Sequence, residues 1–153
     1  MSEGSRALSP YLTVKDAAAA IDFYRTAFGA VELFRLTAED GRIGHAELDV
    51  AGAIVMLSDE WPDFGALSPP SIGGSPVKLH LNVDDSDAVV ARAVAAGATL
   101  VRPVRDQFYG ERSGMIADPF GHSWFVATVK EEVAPAEMQR RWDAAMRGGA
   151  GAS

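Results

Sequence analysis

The chain has 153 residues, 48% hydrophobic and 23% charged, a balance that suits one globular domain with a core of its own. A formal net charge of −7 excludes the basic footprint of a nucleic-acid binder. The lack of cysteine excludes disulfides, thiolate metal sites and a cysteine nucleophile, and it fits a reducing compartment. Residues 1–9 hold no apolar signal core and no apolar run approaches a membrane span, so the expected location is the cytoplasm, with no membrane partner.

Residues 8–14 alternate, with Leu8, Pro10, Leu12 and Val14 on one face and Ser9, Tyr11 and Thr13 on the other. That period predicts a half-buried strand. Asp16 then caps a helix whose apolar positions Ala20, Ile21, Tyr24, Ala27 and Phe28 recur at helical spacing, and Gly29 ends it. Strands follow at 31–36, 43–50 and 53–58, the last two joined by a tight turn at Ala51-Gly52. From 59 to 76 the chain is rich in proline, glycine and serine, which reads as a linker loop. Its Trp61 and Phe64 are expected to anchor it by packing, or to lie over a pocket as a lid.

The opening pattern then returns. Residues 77–83 alternate, Asp84-Asp85 precede a helix carrying Val89, Val90, Ala93 and Val94, and Gly97 stops it. Strands are expected at 99–103, 112–118 and 123–129, with Trp124 in the core and His122 a surface residue of the last hairpin. In the remaining segment, 130–153, the stripe Met138, Trp142 and Ala145 predicts a final helix over 135–146.

Shifting the chain on itself by 69 positions places Leu12 on Leu81, Val14 on Val83, Asp16 on Asp85, Asp49 on Asp118 and Gly52 on Gly121. A strand, a helix cap and a hairpin turn coincide at one offset, so the chain is a duplicated unit. The expected fold is α+β: two tandem βαβββ modules, 8–58 and 77–129, forming a cupped mixed sheet within a single domain, plus the C-terminal helix.

Asp118-Pro119-Phe120-Gly121-His122, the opening Tyr11-Leu12-Thr13-Val14 and the helix motif Ala20-Ile21-Asp22-Phe23-Tyr24 resemble the vicinal oxygen chelate superfamily. That superfamily contains glyoxalase I, the bleomycin-resistance proteins and the extradiol dioxygenases. Residues 106–114 and the tail are similar to its PhnB-like branch. The resemblance implies a ligand pocket and a homodimer. It also places the metal ligands of metal-dependent relatives at Ser9, Met56, Lys78 and Phe125. A hydroxyl, a thioether, an ammonium and a phenyl ring do not make a divalent-cation site, so neither metal nor cofactor is expected.

Parity gives the cup's lining independently, because the residues alternate to the helix-covered set face the concavity. These are Ser9, Tyr11 and Thr13; His45, Glu47 and Asp49; Ile54, Met56 and Ser58; Lys78, His80 and Asn82; and Phe125. His45 and Glu47 share a strand face at about 6.5 to 7 Å, close enough to pair with each other or to grip one group. Tyr109 and Arg112 enter the next strand, where Arg112 is expected to pin Asp118 or another carboxylate, or else to fork onto an anionic ligand. The candidate ligand-binding set is therefore Tyr11, His45, Glu47, Met56, Lys78, His80, Tyr109, Arg112 and Phe125.

The leading expectation is a small-molecule binder acting by sequestration, resistance or sensing. The alternative is a metal-dependent lyase, isomerase or dioxygenase built on His45, Glu47 and His80, a set of two histidines and a carboxylate. Phosphate-loop, dinucleotide-binding and serine-hydrolase motifs are absent from the sequence.

Overall fold

A computed structural model describes residues 4–148. The first module comprises β1 (Tyr11–Val14), α1 (Ala17–Phe28), β2 (Val31–Thr37), β3 (Ile43–Val50) and β4 (Ala53–Asp59). A loop with a 3-10 turn at Pro62–Phe64 and a one-turn helix, α2 (Pro69–Ile72), leads to the second module. That module holds β5 (Lys78–Asn82), α3 (Ser86–Ala95), β6 (Thr99–Asp106), β7 (Glu111–Ala117) and β8 (Ser123–Val129), and the chain closes on α4 (Pro135–Arg147). None of the described helices is long and apolar enough to cross a membrane.

The duplication is visible bond by bond. Each module forms its own four-stranded sheet, in the orders β1-β4-β3-β2 and β5-β8-β7-β6. The parallel pairs share one register: Tyr11 lies opposite Met56 and His80 opposite Phe125, each 69 positions on. Asp16 and Asp85 cap their helices by accepting the amides of Ala19 and Ala88, both at 3.1 Å. A second cap comes from the end of the last strand of each module. Asp59 accepts the Ala17 amide at 2.7 Å, and Thr128 accepts the Ser86 amide at 2.8 Å. Both close an orphan helix donor.

The helix-covered faces of the two sheets enter one core. It runs from Leu12, Ile21, Tyr24 and Leu48 through to Val89, Ile116, Trp124 and Val126, and α1 packs on α3 within it. At the seam, the Trp124 ring lies 4.8 Å from Phe28 and 5.4 Å from Tyr24, centroid to centroid. Asp118, almost fully buried, is the polar centre of this contact. Its Oδ2 accepts the Tyr24 hydroxyl at 2.5 Å and the Trp124 indole N–H at 2.9 Å. Its Oδ1 accepts the amides of Phe120 and His122. Burial, with the Asp118 carboxylate beside it, pushes the Tyr24 phenol well above its usual range.

Several expectations are corrected. Leu8 lies outside the core and is solvent-exposed, because β1 begins only at Tyr11. β6 runs on to Asp106, since proline at Pro103 is tolerated on an edge strand. His122 is half-buried rather than superficial, and its Nε2 bonds the β1 carbonyl of Thr13 at 3.1 Å, a further link between modules. Of the two carboxylate partners expected for Arg112, the second holds: it pins a carboxylate other than Asp118, which Tyr24 and Trp124 already saturate. Arg112 forks onto Asp87 of α3 and meets Asp106.

The Tyr24→Phe variant should fold yet lose about 1 to 3 kcal/mol in urea denaturation, because it leaves a buried carboxylate oxygen short of a donor. Unchanged stability would show that this bond does not hold the modules together.

Candidate functional site

With both helix-covered faces committed to the shared core, the opposite, concave faces of the sheets are left for other uses. On the first sheet one row crosses all four strands: Tyr11 opposite Met56, Met56 opposite Glu47, Glu47 opposite Phe34. His45 stands two residues from Glu47 on the same face. Its neighbour Gly44 marks where alternation breaks, so that Ile43 returns to the core.

These side chains form a continuous hydrogen-bonded line. The Tyr11 hydroxyl lies 2.7 Å from His45 Nδ1. His45 Nε2 lies 2.9 Å from Glu47 Oε2, and Arg6 donates to Glu47 Oε1 at 2.6 Å. The Glu47 side chain is only 8% exposed. The bonds from His45 and then Arg6 hold its carboxyl below the usual glutamate range against the opposing effect of desolvation. Glu47 is therefore a carboxylate, an acceptor only, and that fixes the imidazole proton on Nε2. Nδ1 is left to accept from Tyr11. The Phe34 ring packs 5.8 Å from His45 on the other side.

Tyr11 also lines a cleft of about 600 Å³ together with Thr13, Gly44, Ser58, Trp61, Phe64 and Ala66. The aromatic wall comes from the loop after β4. Trp61 and Ala66 exchange backbone bonds at 2.8 and 3.1 Å, closing a small hairpin. The Arg42 guanidinium stacks 3.8 Å from the Trp61 ring centroid, a cation–π contact. Phe64 stands 84% exposed above the cleft, which fits a lid and not a packed anchor. Glu60 secures the base of this loop by accepting the Ser68 amide at 2.8 Å and the hydroxyls of Ser68 and Ser71. Those three bonds lower its carboxyl to about 2.

Of the residues singled out from sequence, Tyr11, His45, Glu47 and Met56 are brought together here. Lys78, His80 and Phe125 lie on the second sheet, where His80 Nε2 pairs with Glu111 at 3.2 Å and its ring lies 6.3 Å from Phe125. His80 does not join His45 and Glu47: among the described residues no three His, Asp or Glu side chains are placed to hold one metal ion. Tyr109 belongs to a separate apolar groove of about 510 Å³ with Phe108, Met138 and Trp142. Arg112 is engaged by Asp87 and Asp106. The Ser9 hydroxyl is buried without a hydrogen-bond partner.

Arg6, Phe34, Gly44 and Ala66 were not foreseen. Arg6 sits in a segment with no strand period, yet Ser5 pairs with Gly52 and Ile54 at the start of β4 and so brings the next residue to Glu47. Nothing in the sequence signals that contact.

Two βαβββ modules with a cleft on a concave sheet face define a class of small two-module proteins that carry their sites on the sheet. The chain belongs to the Glyoxalase/Bleomycin resistance protein/Dioxygenase superfamily, whose model matches residues 7–126. It is 49% identical over 136 residues to the uncharacterized protein Rv0887c of Mycobacterium tuberculosis, covering 87% of this chain and 80% of that one. Among solved structures it is similar to TioX from Micromonospora sp. ML1, with a TM-score of 0.62 and 30% identity, covering 84% of this chain and 99% of that one. A PhnB protein from Bacillus cereus superposes with a TM-score of 0.64 at 17% identity, covering 81% of this chain and all of that one. That likeness shows the fold alone and does not assign a branch.

Glu60 gives a pH prediction. A carboxyl lowered in the fold contributes stability above its unfolded value of 4.5, and that contribution is lost as pH falls towards about 2. The melting temperature of the wild type should exceed that of Glu60→Gln at pH 6, and the gap should close in acid between those values. A gap independent of pH would mean that the loop does not depend on the Glu60 charge.

Proposed function

We propose that the protein is a metal-independent small-molecule binder whose ligand occupies the cleft between Tyr11 and the Trp61–Phe64 loop. The observation that carries this reading is an apolar, aromatic-walled cleft of about 600 Å³ with a few convergent polar groups, Tyr11, Thr13 and Ser58. Its size and lining are those of a small-molecule site. Three aromatic walls favour a flat ligand, which stacks at little entropic cost to rigid rings. Sequestration, resistance or sensing would each need no more than this.

The residues at the family's metal positions support the metal-free part. Met56 and Phe125 offer a thioether and a ring, and Lys78 offers an exposed ammonium. Hard or borderline cations need imidazole or carboxylate there, and a fixed positive charge opposes binding. These residues do not fit the metal of the metal-dependent relatives, and no step is assigned to one.

A second copy of the chain is the favoured partner. β2 is an edge strand, and Val31, Leu33, Phe34 and Leu36 on it are all exposed. An apolar edge of this kind is normally covered. Sedimentation equilibrium should report a dimer, and Leu36→Lys on β2 should shift it to monomer while the fold persists. A wild-type monomer at all concentrations would contradict the homodimer.

The ligand reading is tested by a thermal-shift screen of flat aromatic compounds, with and without a chelator. A ligand at a hundred times its Kd should stabilise the fold by about 2.7 kcal/mol. The shift should survive chelation and fall sharply in Phe64→Ala. A stoichiometric metal whose removal abolishes binding would overturn the proposal.

A further inference from the structure

The hydrogen-bonded line behind the cleft specifies more than a shape. Glu47, as a carboxylate, can only accept, so the His45 proton sits on Nε2 and the Nδ1 lone pair faces Tyr11. The Tyr11 proton is therefore directed at His45, and the lone pairs of the phenol oxygen are what remains for a ligand. A ligand group meeting that oxygen has to be a donor.

Resting on the reading that the cleft binds a small molecule, we propose that Tyr11, His45 and Glu47 form a proton-accepting relay, and that the cleft takes a flat ligand with an acidic hydroxyl, a phenol or an enol, which it binds as the anion. The proton balance is closed. The ligand O–H proton passes to the Tyr11 oxygen as the Tyr11 proton passes to His45 Nδ1. His45 becomes an imidazolium whose Nε2–H stays on the Glu47 carboxylate, and the ligand keeps the electron pair as a negatively charged oxygen. No oxidant, metal or further reactant is required.

The surroundings fit that charge movement. The groups facing His45 are Tyr11 from β1, Glu47 on β3 and the uncharged Phe34 ring from β2, with Arg6 beyond Glu47. Arg6 keeps Glu47 ionised, and Glu47 is the carboxylate nearest the imidazolium. Arg42 stacks on the Trp61 ring of the cleft wall and is itself paired with Asp40 at 2.9 Å. A nucleophile or proton-transfer group bonded to a base that is oriented by a third group is the general signature of an activated side chain. Here the three groups lie on one sheet face, Tyr11 on β1 and His45 and Glu47 on β3 with β4 between them, and of the three only Tyr11 lines the cleft.

The test is an absorbance titration of the full chain with p-nitrophenol, at a pH where the free compound is mostly un-ionised, with 4-nitroanisole as the analogue lacking the proton. The wild type should develop the phenolate band in saturable fashion and should bind 4-nitroanisole more weakly. His45→Gln should still bind p-nitrophenol, but the ratio of ionised to neutral bound compound should fall about tenfold, one pKa unit of lost proton affinity. Tyr11→Phe should bind it un-ionised. Circular dichroism of each variant keeps a folding failure from passing as a loss. Wild-type binding with the neutral spectrum, or an unchanged phenolate band in His45→Gln, would overturn the relay and leave the cleft reading standing. If neither compound binds the wild type, the cleft reading falls and the relay with it.

Discussion

Asp118 ties the molecule together, and the reason is electrostatic. A carboxylate that has left water needs donors on both oxygens, and an unpaired one would cost several kcal/mol. Here the amides of Phe120 and His122 satisfy one oxygen, and Tyr24 with Trp124 satisfies the other. Tyr24 belongs to the first module and Trp124 to the second. One buried charge therefore fixes the seam between them, holding helix α1 of the first module against strand β8 of the second. The remaining geometry follows, since each sheet has one face in the joint core and one turned away from it.

The duplicated modules are equal in scaffold and unequal in chemistry. The same register that puts Tyr11 beside Met56 puts His80 beside Phe125. In the first module the row continues into a Tyr11–His45–Glu47–Arg6 line next to an aromatic-walled cleft. The matching row of the second module carries a His80–Glu111 pair, with the His80 side chain 45% exposed. Duplication supplies two equivalent platforms, and the loop at residues 60–68 furnishes one of them with a wall. This asymmetry is why the candidate site lies on the first sheet.

Much of the scaffold was legible in the sequence because it is written in short-range chemistry. Asp16 and Asp85 announce helix starts, Gly29 and Gly97 announce stops, and the offset of 69 aligns the strands. Parity put Tyr11, His45 and Glu47 on one face correctly because a strand has no other choice. It also pooled His80 with them, and there it failed: parity tells which face a residue occupies, not which sheet faces which. The same limit applies to Arg112, whose carboxylate partners were open until α3 was placed beside β7. Arg6 was illegible altogether, since its role depends on Ser5 adding to the end of β4. Trp61 and Phe64 were visible as aromatics in a proline-rich loop, but whether such rings pack or cover depends on the loop's path.

The central claim is that the first module's concave face, not the second's and not the groove beneath α4, receives the ligand. Backbone NMR shift mapping during titration with a flat hydroxyaromatic compound addresses it directly. Saturable shifts are expected at Thr13, Gly44, Ser58 and Phe64, with the His45 ring nitrogens responding in parallel. Shifts confined to Lys78, His80 and Phe125, or to Phe108, Met138 and Trp142, would contradict it.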